Sequence, residues 1–91
     1  MEDHDEVTVP HFIQLMRDYL EGRIDAGSYQ ESYFVLMKKR MIVSEAQSRV
    51  LRQAYGDADD YDPVVRLQYT IEEPELRRRV AKSLEQLTMA A

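Results

Sequence analysis

The chain contains no cysteine, which excludes a disulfide framework and a thiolate metal site. No apolar run approaches the ~20 residues needed to cross a bilayer. Positive charge is also short: 12 Lys and Arg stand against 17 Asp and Glu, for a formal net charge of -5. Phosphate contacts need clustered cations, so this balance argues against a general nucleic-acid binder. The sequence has no Gly-rich phosphate loop, no metalloprotease helix motif and no Ser/His/Asp signature. His4 and His11 have no neighbouring nucleophile in sequence; both read as surface or capping residues. No catalytic set emerges, and no cofactor or metal is expected. The opening Met1-Glu2-Asp3-His4-Asp5-Glu6 is acidic, the opposite of a secretory n-region. These absences point to a cytoplasmic, non-enzymatic protein without membrane contact.

The charges that are present come in bands. Met1 to Gln30 is acidic. Glu31 to Arg52 is basic, through Lys38, Lys39, Arg40, Arg49 and Arg52. Gln53 to Glu75 turns acidic again, and Arg77, Arg78, Arg79 and Lys82 follow. Such banding creates local potentials stronger than the net charge implies.

Apolar spacing gives four helices. Phe12, Met16, Tyr19 and Leu20 share one face of a first helix that starts near Pro10, a residue tolerated in a first turn; Gly22 reads as its stop. Tyr29, Tyr33, Met37 and Met41 repeat every four positions in a second, capped by Asp25 or Ser28. Its methionines read as core rather than interface. Lys38, Lys39 and Arg40 fall in its expected last turn, where they suit the helix dipole. Ser44 caps a third, with Ala46, Val50, Leu51, Ala54 and Tyr55 as its stripe and Gly56 as its end. Val64 to Tyr69 reads as a short helical turn. The last helix begins either from the Thr70-Ile71-Glu72-Glu73 capping box or at Glu73, since Pro74 disfavours the earlier start. Leu76, Val80, Leu84 and Leu87 form its stripe. With no useful strand pattern, the expected fold is all-α, an antiparallel four-helix bundle over residues 10–91 behind a flexible acidic tail, residues 1–9.

The most informative segment is Gly56-Asp57-Ala58-Asp59-Asp60-Tyr61-Asp62-Pro63, expected as a loop. It holds four carboxylates in six positions around one aromatic ring, with no Lys or Arg. Unpaired carboxylates are costly to bury, so the run reads as surface. An EF-hand comparison matches Asp57 and Asp59 but fails at Tyr61, Asp62 and Gln68. The run is then either a solvated connector, since Asp is a common turn former, or a protein-binding patch with Tyr61 as anchor.

Further residues bear on that choice. Asp59-Asp60-Tyr61-Asp62-Pro63, Arg66, Tyr69-Thr70-Ile71-Glu72-Glu73, Leu76-Arg77, Val80 and Leu84, preceded by Phe12, Tyr19-Leu20-Glu21-Gly22-Arg23-Ile24, Tyr29 and Tyr33, form an ordered set over about residues 10 to 87. This set resembles the bacterial self-protective colicin-like immunity family, of the colicin D immunity type. The resemblance implies a small helical bundle that binds a cognate toxin nuclease domain one to one. It implies a tRNA-cleaving toxin of colicin D-like or contact-dependent inhibition type, covered at its active site by an acidic surface. Asp57, Asp59, Asp60 and Asp62 would then occupy space meant for RNA phosphates, Tyr61 would anchor or pack the segment, and Glu72 and Glu73 (with Glu75) would extend it. Arg66 would tether the segment internally. Two rival readings remain at this stage: a helical interaction or regulatory domain with a non-toxin partner, and a small DNA-binding regulator using Lys38-Lys39-Arg40 and Arg77-Arg78-Arg79.

Overall fold

The computed structural model describes residues 6–62 and 70–89. In chain order these form β1 (Glu6–Thr8), α1 (Val9–Leu20), α2 (Ala26–Met37), β2 (Arg40–Ile42), α3 (Glu45–Asp60) and α4 (Glu73–Met89). The expectations placed on residues 1–5 and on Pro63, Val64, Arg66 and Tyr69 lie outside the described residues. Packing closes a ring, with α1 against α2 and α4, and α3 against α2 and α4.

Local chemistry sets most of the helix ends. The Thr8 backbone N–H donates to His11 Nδ1 at 3.0 Å, so His11 takes its expected capping role, and Pro10 falls in the first turn of α1. Past its C-terminus, Gly22 adopts φ +82°. Gly22 N–H donates to Tyr19 O at 3.1 Å and Arg23 N–H to Asp18 O at 2.8 Å. These two bonds are the Schellman pattern, and its left-handed position favours a residue without Cβ. Asp25 caps α2 by accepting from the Ser28 N–H at 2.8 Å. Ser44 and Gln47 cap α3 reciprocally, at 3.0 and 3.1 Å.

The core is aromatic at its centre. Phe12, Tyr19, Tyr29 and Tyr33 are fully buried with Met16, Leu51, Leu76 and Leu87. Tyr19 stacks on Tyr29 with ring centroids 4.9 Å apart, and Tyr33 lies 5.3 Å from Phe12. The Tyr33 hydroxyl donates to Leu51 O at 2.7 Å, which satisfies a buried polar group and ties α2 to α3.

Several expectations need correction. Glu6–Thr8 and Arg40–Ile42 pair as a parallel two-stranded sheet, Val7 opposite Met41, where no strand was expected. Val7 is buried, so residues 6–9 belong to the fold and not to a tail. The second helix stops at Met37, before Lys38-Lys39-Arg40, and Met41 lies in β2. On α3, Ala46 and Tyr55 are exposed while Asp57 and Ala58 are buried, which rotates the apolar stripe from its expected position. Gly56 does not end α3: the helix continues to Asp60. Most of the acidic run is therefore a helix terminus rather than a loop. Its last turn is held by a contact distant in sequence, for Gln30 Nε2 donates to Ala58 O at 2.8 Å and Tyr61 O at 2.9 Å. Ala58 O also accepts from the Tyr61 N–H at 3.3 Å, and the Gln30 amide supplements a helix end that is otherwise short of donors.

Candidate functional site

The end of α3 and the start of α4 meet at one end of the molecule. Tyr61 and Ile71 form an isolated parallel bridge, and Ile71 N–H donates to Asp60 O at 3.0 Å. This short tie brings together two acidic segments, Asp57 to Asp62 and Glu72 to Glu75, that are separate in sequence. Pro74 sits in the first turn of α4, which begins at Glu73. Glu73 and Glu75 thus stand where the helix dipole favours negative charge.

The seven sequence-predicted residues occupy different environments. Asp59 and Glu72 are exposed, and Asp60, Tyr61, Asp62 and Glu73 are partly buried. Asp59 makes no ion pair among the described residues. Asp57 differs from all of them, being only 5% exposed. Its carboxylate lies 3.2 Å from Arg79 Nη1 and accepts a longer bond, 3.4 Å, from Gln53 Nε2. Arg79 also reaches Asp60 at 3.8 Å and Glu75 at 2.8 Å, so it ties both acidic segments from beneath. Hydrogen bonds from Arg78 and Arg79 hold the Glu75 carboxyl below the usual glutamate range.

Glu73 is committed to a second network. It accepts from the Tyr19 hydroxyl at 3.2 Å and pairs with Arg77 at 3.4 Å. The Arg77 guanidinium lies over the Tyr19 ring, 4.6 Å from its centroid, a cation–π arrangement. It also lies within 3.4 Å of Leu20 O at the end of α1. Burial, and then the Glu73 charge, push the Tyr19 hydroxyl pKa upward.

Tyr61 is partly buried, packs against the core cluster and serves as the cap of α3. The aromatic residue displayed on the outside of α3 is Tyr55, 42% exposed. Helical spacing carries the signal that finds it: Arg52, Tyr55 and Asp59 stand at i, i+3 and i+7, one face of a helix.

Among the described residues no group of three or more His, Asp or Glu is arranged to hold a metal ion, and no helix is long and apolar enough to cross a membrane. Chemically, this end of the molecule gathers carboxylates from two chain segments. The model of the bacterial self-protective colicin-like immunity family matches residues 7–87. No curated protein and no solved structure gives a match.

Proposed function

The chain belongs to the bacterial self-protective colicin-like immunity family, and we propose that it neutralises a cognate toxin nuclease by laying its acidic end over the toxin's basic active site. The observation that carries this reading is the Tyr61–Ile71 bridge with the Ile71-to-Asp60 hydrogen bond. It gathers the carboxylates of two chain segments into one surface. Asp59, Asp60, Asp62, Glu72 and Glu73 stand in for RNA phosphates on that surface, with Tyr61 packed beneath them. Asp57 acts through Arg79 as a positioning residue, since a buried carboxylate meets no partner.

A nuclease that grips a polyanion presents a positive cleft. An acidic inhibitor is steered towards it, and association reaches ~10^8 M⁻¹s⁻¹ or more at low salt. Speed matters because free toxin damages its maker. The complex is one to one, forms in the cytoplasm and is non-catalytic on the inhibitor's side. The toxin is of the tRNA-cleaving kind, of colicin D-like or contact-dependent inhibition type.

Co-expression tests this directly. The cognate toxin nuclease domain is expected to kill cells when expressed alone and to be harmless when this chain accompanies it. Equal killing with and without the chain would refute the proposal.

A further inference from the structure

Electrostatic steering accelerates encounter but does not by itself give long residence, which depends on desolvated anchor side chains. The expected anchor, Tyr61, is partly buried and packs against the core cluster, which leaves it little side chain to offer a partner. We infer that the groove between α2 and α3 at Tyr55 supplies the missing anchor site: it takes one large apolar side chain of the toxin, beside the basic patch that meets Asp59. This inference rests on the acidic-face reading above and extends it along α3.

Phe34, Met37, Lys38 and Tyr55 line the groove, which encloses about 420 Å³. Its aromatic wall is built: the Phe34 and Tyr55 rings meet edge to face, with centroids 5.5 Å apart at 68°. Met37 adds a flexible, polarizable side chain able to adjust to what enters. Tyr55 and Asp59 are four residues apart, about 6 Å along the helix axis. A typical interface of about 800 Å² per partner covers both, so groove and acidic end fit under one toxin surface.

Charge fixes the orientation. Asp59 is exposed at one end of the α3 stripe and Arg52 at the other, with Tyr55 between them. Lys38 is exposed at the groove rim, and neither Lys38 nor Arg52 makes an ion pair among the described residues. The complementary toxin surface carries its basic patch facing Asp59, then an apolar side chain entering the groove, then an acidic residue facing Lys38 and Arg52. A single-stranded nucleic acid fits less well. The chain's net charge of -5 repels a polyanion.

The test uses the cognate toxin nuclease domain, identified as the one this chain protects against in co-expression, and resolves on- and off-rates separately. Tyr55→Ala is expected to raise the off-rate about tenfold or more with the on-rate within twofold of wild type. Tyr55→Phe, which keeps the ring, is expected to stay within twofold in both rates. Lys38→Glu, a substitution at an exposed rim position, is expected to raise the off-rate severalfold with the helical signal at the wild-type level, so the inference stays testable should Tyr55→Ala fold poorly. Off-rates within twofold of wild type for both Tyr55→Ala and Lys38→Glu overturn the inference. If Asp59→Lys/Asp60→Lys still slows association in that case, the acidic-face reading stands while the groove falls. If that variant also binds as wild type, the acidic-face reading itself falls. A dimer of the free chain that Tyr55→Ala abolishes, or a single-stranded RNA complex that it abolishes, would assign the groove to another occupant and overturn the inference.

Discussion

Asp59→Lys/Asp60→Lys is expected to slow association with the toxin about 100-fold at low salt and to abolish protection in co-expression, while the helical signal stays at the wild-type level. Steering by an opposed charge patch changes on-rates by roughly 10- to 1,000-fold, and two reversals at the centre of the patch invert its sign locally. The folding cost is small for a physical reason. Asp59 is exposed and without an ion pair among the described residues. Asp60 reaches Arg79 only at 3.8 Å, from a half-exposed side chain, and such pairs contribute about 0–1 kcal/mol. Glu31→Lys/Glu85→Lys is the control. It changes net charge equally, at exposed positions on α2 and on the later part of α4, and is expected to slow association several-fold less. Equal effects from the two variants would mean that net charge, and not the acidic end, governs encounter.

Arg79→Ala is expected to destabilise the fold by about 2–4 kcal/mol, a large share of the stability of a domain this size. The mechanism is an orphaned charge. Without Arg79, the Asp57 carboxylate stays buried with only the long 3.4 Å bond from Gln53. The reverse change is milder. Asp57→Asn leaves Arg79 with Glu75 at 2.8 Å and Asp60 at 3.8 Å, and its guanidinium is about one-third exposed, so about 1 kcal/mol is expected. Asp57→Leu/Arg79→Met removes both charges together and is expected to cost less than Arg79→Ala alone, because buried ion pairs replaced by apolar side chains are often neutral. Urea unfolding of the three variants measures the order. Arg79→Ala as stable as Asp57→Asn would show that Asp57 gains nothing from its arginine.

These two residues also show where the sequence stops being readable. The helix starts were local: Asp25, Ser44 and Pro10 each act on the backbone within a few positions, as does Gly22 at a helix end. The stripes of α1 and α4 were legible because Phe12, Met16, Tyr19, Leu76, Val80 and Leu87 follow the helical period into a single core. The fate of the acidic run was not legible. Gly56 reads as a stop, yet the helix passes through it because Asp57 points inward to Arg79, 22 positions later, and Gln30 caps the end from another helix. No local pattern encodes either partner. The two strands were hidden for a different reason. Each is three residues long, too short for a two-residue alternation to stand out, and the pairing joins Val7 to Met41 across the whole of α1 and α2. The same rotation of α3 that buried Asp57 put Tyr55 on the surface. The acidic residues were proposed from their type and from family resemblance, whereas the displayed aromatic beside them needed the fold.

The acidic-face account makes its most direct claim about the encounter rate. Measure the association rate of this chain with its toxin nuclease domain from about 0.01 to about 0.15 M salt, over which the screening length shrinks from about 30 to about 8 Å. The account predicts an on-rate that falls at least tenfold across that range while the off-rate changes little. An on-rate independent of salt would contradict it.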